Sequence, residues 1–352
     1  MAFGAGPLIG LDIGTSAVRA AQVSSGRGTP SLLTFGQVAL PSGVVVDGEI
    51  RDQGAVSEAI SQLVKRTKMQ GRRAILGVAN QRVVVRQVDL PYLDEKEFRS
   101  SLRFQVADHI PMPVDAAELD YQMLGDFMTE SGDHMMRVLL VAGATDMIES
   151  FVGTAAAAGL EPSGVDLTPF AVARAVSPAA RGESGTAGAE AIIDVGAGVT
   201  SIFIHHGGEA RFVRILLVGG DDATNALSSQ LGVPFDEAEA IKLDLGRGVG
   251  TPEAQRILQS RVASLVEEIR GSLDYYVSQE GSEPIGSVIM TGGGSLTPGL
   301  VASVEQTIRS QVRRATPLST MNFSKSGLTQ EQVMQVEPVA AAAVGLAMGG
   351  GK

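Results

Sequence analysis

The sequence predicts an α/β protein built from two similar halves, and three observations carry that prediction. The stretch LIGLDIGTSAVRAAQV, residues 8–23, sets two short apolar runs around Gly14-Thr15-Ser16, with Asp12 just before the turn. The stretch AIIDVGAGVTSIFIHHGG, residues 191–208, repeats the arrangement, with Asp194 before Gly196. Around both, segments of helical periodicity alternate with apolar strand-like runs, the pattern of sheets covered by helices. At 352 residues, 44% hydrophobic and 19% charged, the chain has the length for two domains and ample material for a core.

Taken in order, residues 8–23 read as two strands joined by a tight turn. From Asp52 to Met69, Val56, Ile60, Leu63 and Val64 recur at helical spacing behind Asp52 as N-cap, so an amphipathic helix is expected. Two more strands follow in RAILGVANQRVVVRQVDLP, residues 73–91, closed by Pro91. Asp94 and Glu97 resemble a capping box before Phe98, Leu102 and Val106, which share a helix face. Then come a loop, HIPMPVD, a strand, LDYQML, an acidic turn, GDFMTESGD, a strand, MMRVLLVAGA, and a helix from Thr145 that Gly159 can end. This block, about 86–159, reads as a small α+β subdomain, and RGESGTAGAE, residues 181–190, as a connector between the halves.

The second half adds helices at Asp222 to Leu231 and Asp236 to Leu243, and a long one from Pro252 to about Gln279. The seam of that helix (Leu258, Val262, Leu265, Ile269, Leu273, Tyr276) reads as core packing rather than a coiled-coil partner face, since too few clean heptads are present. A strand, SVIMTGGG, a helix after Pro298 and an Ala-rich helix complete the chain.

The 39 acidic and 28 basic residues give a net charge of -11, which argues against a broad footprint for nucleic acid or anionic lipid, so any phosphate must be held locally. With no cysteine, a thiolate metal site, a disulfide framework and a thiol nucleophile are excluded, and the 4 scattered histidines make a poor metal cluster. The opening MAFGAGPLIGLDIG has no basic residue before Arg19 and does not read as a secretory signal. The charge-free run PVAAAAVGLAMGGG falls short of the ~20 apolar residues of a spanning helix. A soluble, cytoplasmic protein is expected.

The repeated turn carries the chemistry. Each copy places a carboxylate at the end of an apolar strand and a glycine two residues later. Glycine lets the backbone approach an anion, and successive N–H groups in a tight turn make a concave anion site without lysine. Thr15, Ser16, Thr200 and Ser201 add hydroxyl donors, and Asp12 and Asp194 can hold a hydrated Mg²⁺ that bridges to phosphate oxygens. A single such hairpin is as readily a plain turn. Two copies with a third glycine cluster, TGGGSLTPG, residues 291–299, between a strand and a helix, point to a ligand.

In these motifs the chain resembles the actin, sugar kinase and chaperone ATPase superfamily. The resemblance implies an actin-like ATPase fold, two similar halves around a nucleotide cleft, with ATP held between them and Mg²⁺ near Asp12 and Asp194. It assigns phosphate loops to Asp12 to Ser16, through Gly14, Thr15 and Ser16, and to Asp194 to Ser201, through Gly196, Gly198, Thr200 and Ser201. It also assigns an adenosine loop to Gly292, Gly293 and Gly294, and ribose or base contacts to Glu239 and Lys242, a pair that could equally be a surface ion pair.

Within the superfamily the chain is similar to the PilM family of type IV pilus assembly, itself similar to the division protein FtsA. The similarity is carried by the opening hairpin, VVVRQVDLP, HIPMPVDAAELDYQML, AAGLEPSGVDLTPFAVARA, GGDDATNALSSQLGVPFDEAEAIK and PVAAAAVGLAM. It implies subdomain 1A at 7–85, 160–188 and 330–352, an inserted FtsA-type subdomain 1C at 86–159, subdomain 2A at 189–220 and 284–329, and subdomain 2B at 221–283. It further implies an ATP-binding adaptor at the inner face of the cytoplasmic membrane. Its partners would be the N-terminal cytoplasmic tail of a PilN-like inner-membrane protein, gripped between 1A and 1C, and the pilus assembly motor. Membrane association would come only through partners.

Filament-forming and chaperone relatives often carry a glutamate before a proline at the start of the first connecting helix. Here Asp166-Leu167-Thr168-Pro169-Phe170 places Thr168 there, and Ala197 stands where another acidic group can occur, so slow or absent hydrolysis is expected. Asp166 reads as a turn or cap residue, or as a group reaching in from upstream. A filament-forming actin-like ATPase and a small-molecule kinase are the alternatives. The C-terminal AVGLAMGGGK lacks the basic amphipathic pattern of a membrane-binding helix.

Overall fold

The computed structural model describes residues 7–24, 29–183 and 188–349. In the first half, β1 (Ile9–Ile13), β2 (Ala17–Ser24) and β3 (Ser31–Ala39) form a meander, followed by the short pair β4 (Val45–Val46) and β5 (Glu49–Ile50), then α1 (Gln53–Thr67) and β6 (Arg73–Val78). The chain leaves through β7 (Val83–Pro91), α2 (Glu95–Gln105), β8 (Ala117–Met128) and β9 (His134–Ala144), and returns by α3 (Thr145–Ala157) to β10 (Glu161–Leu167) and α4 (Thr168–Val176).

The second half contains β11 (Ala189–Val195), β12 (Thr200–His206), β13 (Glu209–Leu216), α5 (Gly220–Leu231), α6 (Phe235–Gly246), α7 (Pro252–Val277), β14 (Ile285–Thr291), α8 (Leu300–Ile308) and β15 (Val312–Arg314). After α9 (Gln330–Val336), α10 (Ala341–Gly349) crosses back to the first half and packs on α4 and β1.

Both halves share one topology. The first sheet runs β10-β6-β1-β2-β3 and the second β13-β12-β11-β14-β15, each a hairpin-linked triplet extended by two parallel strands. Central β1 and β11 are buried on both faces, which explains why they read as unbroken apolar runs. Each carries its aspartate one residue before its end, in the same register: Asp12 lies opposite Arg19 and Gly77, and Asp194 opposite Ser201 and Thr291.

Local sequence chemistry places most helices as expected. Asp52 caps α1 by accepting the Ala55 N–H at 3.0 Å, and Asp94 caps α2 by accepting that of Glu97 at 2.8 Å. Gly159, at φ +87°, ends the α3 turn. The α7 seam is buried against the second sheet, together with Ile193, Ile202 and Met290, so it is core. α5 begins at Gly220, two residues ahead of expectation, because the Asp222 carboxylate accepts the Gly219 N–H at 2.7 Å.

Other elements depart from expectation. β8 continues to Met128, which confines the acidic turn to residues 129–133. β3, β10, β13 and β15 were not foreseen; β10 is an edge strand that contains Pro162 and Gly164, with its register shift between them. The connector at 181–190 already contains the start of β11, and its residues 184–187 lie outside the described residues.

The block expected at 86–159 contains a separate three-stranded sheet, β7-β9-β8, with its own core of Val88, Leu90, Phe98, Val106, Met136, Val138 and Leu140. α3 does not share that core: Met147, Phe151 and Ala155 pack with Ile9, Leu11, Ile60 and Leu76 of the first half. The inserted sheet also touches the second half, where Gln87 Nε2 donates to the Ala210 carbonyl at 2.7 Å. A further cluster, including Leu32, Val172, Ile192, Phe203 and Val344, fills the space between the halves around α4 and α10. Among the described residues no helix is long and apolar enough to cross a membrane.

Candidate functional site

Because each central strand carries an aspartate at its penultimate position and runs into a glycine turn, the twofold topology points both turns into one gap. There they enclose a cavity of about 390 Å³. Its wall includes Asp12, Gly14, Thr15, Ser16, Arg19 and Thr168 from the first half, and Asp194, Gly196, Ala197, Ser201, Gly220, Asp221, Phe235, Glu239, Lys242, Gly292, Gly293 and Gly294 from the second.

The loops are held by glycine and by backbone bonds. A side chain at Gly292 would put its Cβ 2.2 Å from the Val195 carbonyl and 2.4 Å from Asp194 Oδ1, and one at Gly294 would meet the Gly196 carbonyl at 2.4 Å. Gly292 N–H donates to Pro338 O at 2.9 Å, and Gly220 and Asp221 N–H donate to the carbonyls of Gly196 and Ala197 at 3.0 and 2.8 Å. In contrast, the N–H groups of Thr15, Ser16, Ala197 and Gly198 have no acceptor among the described residues. Free N–H groups in two facing turns form the kind of concavity that receives an anion.

Arg19 reaches back across the hairpin to put Nη1 3.6 Å from Asp12 Oδ2. Burial pushes the Asp12 carboxyl above the usual range, against the pull of Arg19. Asp194 is pushed up to about 7, first by burial and then by the negative charge of Asp12, with Arg19 offsetting part of the shift. Burial also raises Asp221, against the field of Lys242. Two desolvated carboxylates that repel one another suit a divalent cation. No cluster of three or more His, Cys, Asp or Glu side chains able to hold a metal occurs among the described residues. A cation between Asp12 and Asp194 would therefore keep waters or ligand oxygens in its shell, the habit of Mg²⁺ rather than of a closed zinc site.

Glu239 and Lys242 form an ion pair of 2.7 Å on the cavity wall, and Lys242 Nζ also donates to Thr224 Oγ1 at 2.7 Å and to Gly220 O at 3.1 Å. Lys242 is buried, so this is not the surface ion pair that its spacing also allowed.

One expected site residue lies elsewhere. Thr200 is fully buried and its hydroxyl donates to the Val218 carbonyl at 2.7 Å, because strand alternation turns it away from the cavity that Ser201 lines. Gly198 backs onto Thr15, where a Cβ would come 2.9 Å from Oγ1, so it spaces the two turns. Asp166 neither caps nor enters: it pairs with Arg174 at 2.9 Å, and Arg174 donates to the Gly345 carbonyl at 2.6 Å, which ties α4 to α10. Arg19, Asp221 and Phe235 were not foreseen. Arg19 was accessible, since it stands as far after the turn as Asp12 stands before it, whereas Asp221 and Phe235 arrive only through tertiary packing.

Comparison with known proteins agrees with this architecture. The cell division protein FtsA of Bacillus subtilis is 23% identical, over 88% of this chain and 78% of its own length. The chain from a solved PilM-PilN type IV pilus biogenesis complex superposes with a TM-score of 0.84 at 24% identity, covering 98% of both chains. MreB5 of Spiroplasma citri, solved with ADP, superposes with a TM-score of 0.53 at 15% identity, covering 98% of this chain and 99% of its own. The fold is thus actin-like, with two similar halves around a cleft and a separate three-stranded sheet inserted in the first. The family model described as type IV pilus assembly protein PilM matches residues 10–350, and the chain belongs to that family.

Proposed function

We propose that this protein is a nucleotide-binding adaptor of type IV pilus assembly that holds Mg·ATP in the cleft and grips the N-terminal cytoplasmic tail of a PilN-like inner-membrane protein. The observation that carries the nucleotide reading is the meeting of Asp12 and Asp194, each beside a turn with free N–H groups, on one cavity. Thr15, Ser16, Ala197 and Gly198 would receive phosphate oxygens, and Asp12 and Asp194 would orient the waters of Mg²⁺, which neutralises phosphate charge when bound. Glu239, Lys242 and Phe235 with the turn Gly292 to Gly294 would take the nucleoside end.

Membership of the PilM family and the likeness to the chain of the PilM-PilN complex support the partner reading. On this reading 7–85 with 160–188 and 330–352 is subdomain 1A, 86–159 is 1C with its last helix, α3, packed on the core of 1A, 189–220 with 284–329 is 2A, and 221–283 is 2B. The tail would lie between 1A and 1C, and through it the protein would sit at the cytoplasmic membrane beside the assembly motor. The role is a shape set by nucleotide rather than rapid turnover, because Thr168 offers a hydroxyl where a general base would stand and Asp166 is committed to Arg174.

Thermal unfolding tests the nucleotide claim. At ligand about 100-fold above Kd, Mg·ATP should stabilise the wild type by ~2.7 kcal/mol, and Asp12→Ala or Asp194→Ala should remove the effect. A wild-type curve indifferent to Mg·ATP would refute it. A pull-down with a PilN-like tail tests the partner claim separately, with loss expected when the inserted sheet, residues 86–144, is removed and α3 is kept in the first-half core.

A further inference from the structure

The overall charge of -11 conceals a concentrated basic corner. Lys65 and Arg66 occupy the last turn of α1, Lys68 caps it in the left-handed conformation, and Arg72 and Arg73 lead into β6. All five are exposed, and none forms an ion pair among the described residues. The acidic residue in register with this corner is Glu161, opposite Arg73 at the start of β10.

The corner is built rather than loose. Buried Gln22 grips the Gln70 backbone at both ends, donating to its carbonyl at 2.6 Å and accepting its N–H at 2.9 Å, while Gly71 makes the turn at φ +74°. It does not serve the cleft. β6 runs parallel to β1 with Gly77 beside Asp12, so Arg73 stands at the opposite end of the strand, roughly 13 Å away at strand rise.

We propose that this corner is a contact surface for anionic lipid headgroups, by which the protein touches a membrane directly. The composition selects that partner. No large apolar side chain is exposed in the corner, and Met69 within it is buried, so the anchor that a protein interface usually needs is missing. No aromatic interleaves the basic residues, as stacking on single-stranded nucleic acid would require. What remains is a pre-formed cluster of Lys and Arg of the size that binds acidic lipid surfaces within a Debye length. This contact is independent of the nucleotide cleft and adds a second attachment to whatever a membrane-anchored partner supplies.

Vesicle co-sedimentation of the full chain tests the proposal. With about 30% phosphatidylglycerol, binding should exceed that to neutral phosphatidylcholine vesicles roughly tenfold or more and fall steeply as salt rises from ~50 to ~200 mM. Replacing Lys65, Arg66, Lys68, Arg72 and Arg73 by Gln should abolish the excess, whereas Arg256→Gln, Arg261→Gln and Arg270→Gln together on α7 should retain it. Far-UV circular dichroism and the melting curve check that both variants fold. Equal binding to neutral vesicles, or undiminished binding by the five-site variant, would overturn the proposal. So would binding to polyglutamate or duplex DNA without binding to vesicles, which would assign the corner to an acidic polymer.

Discussion

Arg19 Nη1 lies 3.6 Å from Asp12 Oδ2 across the first hairpin, while the Nε–H of the same guanidinium is buried without an acceptor among the described residues. The residue thus balances one carboxylate and keeps a donor in reserve at the cavity wall. Arg19→Met should weaken Mg·ATP binding by about 1.5–3 kcal/mol, the range for a hydrogen bond to a charged group. Titration calorimetry in the presence of Mg²⁺ gives the value, and an unchanged Kd would remove Arg19 from the site.

Asp194 makes the ligand-free protein sensitive to pH. Its carboxyl is raised from 3.8 to about 7 in the folded state, so between those values the folded chain holds a proton that the unfolded chain has lost. Stability from this group is therefore complete below 3.8 and is lost as pH rises through about 7. Asp194→Asn should melt higher than the wild type above neutral pH, by roughly 1–3 kcal/mol, with the gap closing toward acid. Ligand-free melting curves across the pH range measure this, and parallel curves for the two proteins would contradict it.

α10 crosses α4 at closest range at Gly345, where an added Cβ would lie 1.7 Å from the Ala171 carbonyl. Alanine would gain up to about 1 kcal/mol of helix propensity, but the clash is with backbone and cannot be relieved by a rotamer change. Gly345→Ala should therefore cost about 1–3 kcal/mol or more net, read as a fall in the urea midpoint or as loss of soluble protein.

Thr168 lines the cavity at the start of α4 without an acidic group. Thr168→Ala should leave the ATP turnover rate within about twofold, because removing a true general base costs ~10²–10⁴. A large drop would identify the hydroxyl as part of a hydrolytic apparatus.

Much of the cleft was legible in the sequence because its groups sit in local motifs. Asp12 and Asp194 end apolar strands, each followed by a glycine turn, and that pattern needs no tertiary information. Glu239 and Lys242 were legible as a pair, but only the packing of α6 on α5 buries the lysine against Thr224 and Gly220. Thr200 was misplaced because a hydroxyl beside a glycine turn gives no sign of which face of the strand it takes. The basic corner is hidden in the sequence for the opposite reason: net charge averages over the chain, and the exposure of Lys65, Arg66, Lys68, Arg72 and Arg73 is a property of the folded surface.

The duplicated strand-turn-strand units, the helix caps at Asp52 and Asp94, and the carboxylate before each glycine turn are legible in the chain alone, because all of these are set by neighbours a few residues apart. Long-range packing, in contrast, assigns α3 to the first sheet and Asp166 to Arg174. It also decides which donors at the turns remain free for a ligand. Each of these depends on which surfaces meet across more than a hundred residues of chain or between elements, and the physical cause is burial: a side chain or N–H becomes structural or available according to what the fold brings against it.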